Sequence, residues 1–394
     1  MPSIDFRSEA EAMREELVAR RRDFHMHPEL AFEEVRTAGI VAEELTTLGL
    51  EVQTGVGKTG VVAMLEGDQD GPTVLIRADM DALPVREENT TDYVSTVPGK
   101  MHACGHDGHT TIALGVAKLL SNHRGKMAGR VKFVFQPAEE IGRGAEAMVE
   151  DGVLRDPKPD VSLGLHLWNS LPVGILGVAD GPEMAGASQF TIVIRGKGGH
   201  GALPQETVDP VVCAAHLVTA LQSIVSRNVH PRDTAVLSVT AIQAGDAFNV
   251  IPPEAQMRGT VRTYKKEIFD LVARRIREVS ESIGRAMGCT VEVEISDLTE
   301  PVTNDPEVAE RARRAFRQVV DEGTFMLDER TMGSEDVGHF MSDIPGMFFF
   351  LGSANADKGL DFGHHHPRFD FDEEALPLGV ALMSAAVADY VLPE

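Results

Sequence analysis

Apolar positions recur along this chain with two different periods, and the change between them maps its elements. Val61–Leu65 and Thr73–Arg77 are short apolar runs bounded by Gly or Pro, and they read as buried strands. Residues 8–22 and 35–48 are charged and helical in pattern, while Thr110–Leu120 sets Ile112, Val116, Leu119 and Leu120 at helical spacing. Val131–Phe135 predicts a strand that ends at Gln136-Pro137, and Val161–Leu167 another with His166 near its end. Strands alternating with helices in this way predict an α/β domain with a mostly parallel sheet, in which ligands bind beyond the carboxyl ends of the strands. Asp79, Glu139, Glu140 and His166 all fall at or just after predicted strand ends.

A second pattern starts near Ser188. Strands are expected at Phe190–Arg195, Ala235–Gln243, Ala255–Val261 and Thr290–Ile295, with helices at Pro210–Arg227 and Lys266–Met287. The order β-α-β-β-α-β is that of a ferredoxin-like α+β module. Helix Asp305–Gly323, strand Gly346–Leu351 and helix Glu373–Val391 then resume the α/β pattern. The reading is therefore a catalytic α/β domain over 1–186 and 296–394, with residues 187–295 inserted into it. The Gly/Pro-rich stretch Leu171–Gly186 is the expected hinge. A length of 394 residues suits two domains.

Charge narrows the partners. Lys and Arg number 37 against 61 Asp and Glu, a net charge of -24. Such a surface repels phosphate backbones and anionic membranes, so neither nucleic acid nor membrane is an expected partner. No apolar run is read as reaching membrane-spanning length, and the segment from Asp5 to Arg22 is too charged for a secretion signal. The three cysteines, Cys104, Cys213 and Cys289, cannot all pair with one another, which points to a reducing, cytoplasmic setting.

The candidate chemistry centres on Met101-His-Ala-Cys-Gly-His-Asp-Gly-His109. Cys104 and His106 lie in a polar Gly-containing loop rather than an apolar stripe. Thiolate, imidazole and carboxylate together are the donor set of borderline divalent metals. A thiol nucleophile at Cys104 is the competing reading, but nothing in the sequence supplies an orienting base. Glu139-Glu140 follows a strand; in an extended segment the two side chains point to opposite sides, one suited to a metal and the other to a water. Taken alone, the pair is equally an ordinary solvated acidic pair. Asp79 and Asp81 read as turn formers or as carboxylates that orient a metal-bound histidine. His364-His365-His366-Pro367 is as compatible with a surface loop as with a site. Gly196-Lys-Gly-Gly-His-Gly201 matches a dinucleotide fingerprint only by letter, since no apolar helix or acidic ribose partner follows. Its glycines are expected to present His200.

These segments, together with Arg77-Ala-Asp-Met-Asp-Ala-Leu-Pro84, Phe135-Gln-Pro-Ala-Glu-Glu140, Phe248-Asn-Val-Ile-Pro252, Met332-Gly-Ser-Glu-Asp336 and the opening Arg21-Arg-Asp-Phe-His-Met-His-Pro-Glu-Leu30, resemble the M20 metallopeptidase family. Within it the chain is similar to the amidohydrolase branch of hippurate hydrolases, aminoacylases and auxin-conjugate hydrolases. The resemblance implies two divalent metal ions (Zn, Mn, Co or Ni) held by Cys104, His106, Glu140, His166 and His365. Glu139 is then the general base and Asp79 the orienting acid, with Arg77 where other branches carry a histidine ligand. It implies that His200 and Asn249 contact the substrate or the developing oxyanion and that Arg262 grips a substrate carboxylate. The inserted domain becomes a lid and dimerisation domain, and the expected assembly is a homodimer or higher homo-oligomer. The implied activity is hydrolysis of the amide bond of N-acyl amino acids. A dipeptidase or aminopeptidase on the same scaffold, an amidohydrolase acting on ureido acids, and a non-catalytic metal- or ligand-binding protein are the alternatives.

Overall fold

Four buried strands lying side by side carry Asp79 and His166, and the Glu139–Glu140 turn follows one of them. In the computed structural model, which describes residues 4–392, Ala128–Gln136, Gln69–Asp79, Val161–Pro172 and Gly346–Ala354 are adjacent and mutually parallel. Val74, Leu75, Ile76 and Ala78 are all buried, as expected for a parallel strand covered on both faces. The full sheet has eight strands. Glu51–Val56 and Gly60–Glu66 extend one side in antiparallel fashion, and Leu176–Gly177 and Phe325–Met326 complete the other. The sheet is thus mostly parallel at its centre, with antiparallel pairings toward its edges.

Two apolar helices pack closely in this unit. His106–Ser121 and Ala375–Val391 are buried around almost their whole circumference, which marks core helices rather than surface ones. Glycine lets them approach: a Cβ on Gly115 would lie 2.6 Å from Val380 Cγ2, and one on Gly379 would lie 2.6 Å from Ile112 Cδ1. This packing sets the depth of a helix whose first residue is His106. The helix expected over Asp305–Gly323 is shorter, Pro306–Phe316, and the chain turns where Val319 and Val320 both donate to the Phe316 carbonyl.

Contacts divide the chain into two units. One takes in residues up to Glu183, Thr303–Arg330 and from Asp336 onward; the other comprises Met184–Val302 and Thr331–Glu335. The second unit contains an antiparallel four-stranded sheet in the order Ala235–Gln243, Glu254–Thr263, Gly186–Arg195, Thr290–Thr299. Phe190, Ile192, Ile194, Ala255, Met257 and Val261 alternate onto a core shared with helices Pro210–Asn228 and Lys266–Ala286. One correction concerns Pro210–Asn228. Its 19 residues reach a mean hydropathy of 1.2, so by length and composition alone it could cross a membrane, contrary to the sequence reading. Cys213, Ala214, Leu217, Leu221 and Ile224 form a buried stripe in the unit's core, as in the core helix of a globular unit.

Gly115→Val should wedge the two apolar helices apart and cost about 1–3 kcal/mol of stability. Urea denaturation measures this, and Val380→Ala should restore part of the loss. Wild-type stability in the single variant would show that the helix pair has room to spare.

Candidate metal centre

Gly105 adopts φ +92°, and helix His106–Ser121 begins directly after it, which turns Cys104 and His106 into the same space. The His106 Nδ1 donates to the Asp81 carbonyl at 2.9 Å, leaving Nε2 as the inward atom. That Nε2 lies 3.6 Å from Asp79 Oδ2, 4.0 Å from Glu139 Oε2 and 3.9 Å from Glu140 Oε1. His166 repeats the arrangement. Its Nδ1 donates to the Leu167 carbonyl at 2.7 Å, and its Nε2 lies 3.6 Å from Cys104 Sγ. His166 sits within the strand rather than near its end, because the strand runs on to Pro172, paired with Gly346–Ala354.

Glu139 and Glu140 depart from the extended geometry expected of them. Ala138 at φ +54° starts a tight turn, Glu139–Ile141, so both carboxylates converge on His106 instead of diverging. The turn is held from behind. The two oxygens of Asp81 accept the Glu139 and Glu140 amides at 3.0 and 3.1 Å, and Glu34 accepts the Ala138 amide at 2.9 Å. Sequence reasoning missed Glu34; Asp81, read there as a turn former or as a carboxylate orienting a metal-bound histidine, holds the Glu139–Glu140 turn with its carboxylate and His106 with its backbone carbonyl.

The histidine triple resolves into separate environments. His364 is bound on both nitrogens, with Nδ1 3.9 Å from Cys104 Sγ and Nε2 accepting the Asn169 amide at 3.2 Å, and its ring stacks on Trp168. His365, at φ +65°, donates its amide to the Ala103 carbonyl at 2.7 Å and brings Nε2 to 3.3 Å from Glu140 Oε2. His366 stacks on Phe362.

Cys104, His106 and His166 thus form one possible ligand set, Cys104, Glu140 and His365 a second, and His106, Glu139 and Glu140 a third, each with its donor atoms within 4.8 Å of one another. The His106 Nε2 and Glu140 Oε1 are buried without a hydrogen-bond partner among the described residues. Burial pushes the Glu140 carboxyl up to about 7 and the Cys104 thiol well above its ordinary value. A bare imidazole nitrogen beside a carboxyl and a thiol whose charged forms burial disfavours fits a divalent cation, which satisfies the lone pairs and supplies the missing positive charge.

Asp79 lies beside the inward Nε2 of His106, so the sequence expectation that it orients the ring passes to the Asp81 carbonyl at Nδ1. Asp79 accepts from His109 Nδ1 and from Arg77 Nη1, both at 2.7 Å, and Arg77 reaches on to Gln136 at 2.7 Å and Asp336 at 3.2 Å. His109, which had no role in the sequence reading, also accepts the Leu167 amide at 2.8 Å. His102 is buried with no hydrogen-bond partner on either nitrogen among the described residues. His200, Asn249 and Arg262 belong to the second unit. There His200 pairs with Val250 beside Asn249, while Arg262 donates to Thr260 and, with Arg258 and Thr240, lines a cavity of about 330 Å³.

Residues 75–389 match peptidase family M20/M25/M40. The chain belongs to this family. It is 41% identical over 361 residues to the N-acetylcysteine deacetylase of Bacillus subtilis, covering 91% of this chain and 93% of that one. It is 39% identical over 381 residues to the IAA-amino acid hydrolase ILR1-like 4 of Arabidopsis thaliana, covering 95% and 86%. A crystal structure from Bacillus subtilis, described as a dinuclear metal binding peptidase from M20 family, superposes with a TM-score of 0.83 at 37% identity over 95% of this chain and 98% of that one. In this M20 chain the matched span includes every thiol, imidazole and carboxylate of the cluster.

Outside that span, the N-terminal helix Arg14–Met26 adds a buried charge network. His25 Nδ1 lies 2.8 Å from Asp107 and its Nε2 3.2 Å from Glu87; Arg21, Tyr93 and His102 complete its surroundings. Burial and Arg21 both act to lower the His25 pKa, but Asp107 and Glu87 outweigh them and raise it to about 9. A histidine raised above its unfolded value of 6.5 contributes stability that is fully present below that value and is lost as pH rises through about 9. The contribution is on the order of 3 kcal/mol. His25→Gln should therefore flatten the fall in stability between these two values, as read by urea denaturation of the metal-free protein. An unchanged slope would assign the pH dependence to other groups.

Proposed function

We propose that this chain hydrolyses the amide bond of N-acyl amino acids with two divalent metal ions per subunit, releasing a carboxylic acid and a free amino acid. The observation that carries the proposal is the Glu139–Glu140 turn: two adjacent carboxylates converge beside the bare His106 Nε2 and the neighbouring Cys104 and His166 donors. In this reading Cys104, His106, Glu140, His166 and His365 hold the metals. Sulfur, nitrogen and oxygen donors together suit Zn, Mn, Co or Ni. When bound, the metals act as Lewis acids toward the amide carbonyl and lower the pKa of the attacking water.

The chain's own residues supply the rest. Glu139 takes the proton from the attacking water and delivers it to the leaving nitrogen. Asp79, held by Arg77 and His109, sets its charge beside the inward Nε2 of His106, while the Asp81 carbonyl orients the ring through Nδ1. By family resemblance His200 and Asn249 meet the carbonyl oxygen, and Arg262 pairs with the substrate's α-carboxylate. A local cation of this kind answers the net charge of -24, which otherwise repels an anionic substrate. The relatives named for N-acetylcysteine and for IAA-amino acids support an N-acyl amino acid over a free dipeptide. A homodimeric assembly and a cytoplasmic setting, consistent with three unpaired thiols, complete the proposal.

Glu139→Gln should bind metal as the wild type does while kcat falls by ~10²–10⁴-fold. Metal analysis paired with rates on N-acetyl, N-benzoyl and indole-acyl amino acids reads both quantities. Near-normal turnover would remove Glu139 from the role of base. Chelation should abolish activity, and re-addition of a divalent metal should restore it. Activity that survives chelation would point instead to Cys104 as a nucleophile, and faster cleavage of free dipeptides would make the enzyme a dipeptidase.

A further inference from the structure

The opening Arg21–Leu30 motif is a sequence signature that the proposed chemistry leaves unused. Arg21 is completely buried, and its guanidinium touches carboxylates from two separate chain segments. Its Nε donates to Asp107 Oδ2 at 2.8 Å; Nη2 donates to Asp370 Oδ1 at 2.6 Å; Nη1 lies 3.4 Å from Glu373 Oε1. Asp107 directly follows His106, and Asp370 lies on the segment that leads from His365 into helix Ala375–Val391. The plane is further fixed by Phe371, whose ring centre lies 4.2 Å from the guanidinium carbon, and Tyr93 donates to the other oxygen of Asp370 at 2.7 Å. An ion network this deep is costly in desolvation and adds little net stability over apolar packing. What it provides is direction, because a planar fork reaches two carboxylates at set angles.

We infer that Arg21 is a positioning residue for the metal centre, locking the segment that carries Cys104 and His106 to the segment that carries His365. This rests on the metal-site reading above. Lysine keeps the charge but replaces the fork with a single ammonium group, which cannot hold both carboxylates in the same geometry.

The test is cobalt(II) titration of the metal-free full-length protein, read by the thiolate-to-cobalt charge-transfer absorption that Cys104 ligation produces. Arg21→Lys should weaken cobalt affinity by ~10–100-fold and shift that absorption, while circular dichroism shows an intact fold. Affinity and absorption equal to wild type, with only the thermal midpoint lowered, would make Arg21 a purely structural residue and overturn the inference. If Arg21→Lys does not fold, the isosteric Asp370→Asn, which leaves Arg21 and Asp107 in place, carries the same expectation and the same overturning result. A wild-type protein with no thiolate-to-cobalt absorption would instead refute the metal-site reading itself, and the inference with it.

Discussion

The structure is organised around two donor atoms that have no hydrogen-bond partner among the described residues. The His106 Nε2 and Glu140 Oε1 are buried and bare, and Cys104 and His166 face the same space. Left to themselves, such atoms are among the most expensive features a folded chain can carry. They persist because each is fixed from the far side: His106 through the Asp81 carbonyl, His166 through the Leu167 carbonyl, and the Glu139–Glu140 turn through the Asp81 carboxylate. The backbone bonds also choose the ring tautomers, so the free nitrogen of each ring is the one aimed inward.

Around this centre the buried carboxylates divide into two groups. Asp79 is paired with Arg77 and His109, and Asp107 with Arg21 and His25. Burial acts to raise the Asp79 pKa, yet His106, Arg77 and His109 hold it well below the ordinary carboxylate value. These acids are ionised and already neutralised by protein cations. Glu140 is different: burial dominates and its pKa is raised, so it is the carboxylate whose charge still awaits a partner. The two arginines therefore do more than stabilise; they leave Glu140 and Cys104 as the groups with charge to give.

The fold was largely legible because its signals are local. Apolar runs bounded by Gly and Pro gave the central strands, and helical spacing gave the helix after His106. The order β-α-β-β-α-β is visible in the four-stranded unit. What escaped depends on backbone conformations or partners that spacing does not encode. The Glu139–Glu140 pair reads as extended until Ala138 is seen at φ +54°, and His166 reads as a strand end until its parallel partner is known to continue to Ala354. The membrane-length character of Pro210–Asn228 escaped because Pro210–Arg227 is placed in the sequence only as a helix between two strands of the inserted module. Family resemblance, not spacing, distinguished His365 from its neighbours; in the structure the difference is physical, because His364 is bonded on both nitrogens while His365 faces Glu140.

A site assembled from such distant segments needs its loops tied to each other rather than to a shared scaffold alone. His365 donates its amide directly to Ala103, the residue before Cys104, so two donor segments are joined by one backbone bond. That bond fixes one point but leaves the segments free to pivot. The Arg21 fork adds contacts on Asp107, just past His106, and on Asp370, past His365 in sequence. Two attachments on each segment restrict rotation where one does not. A helix outside the matched family span thereby bears on the geometry of donors within it, which accounts for an arginine and a histidine on the buried face of Arg14–Met26.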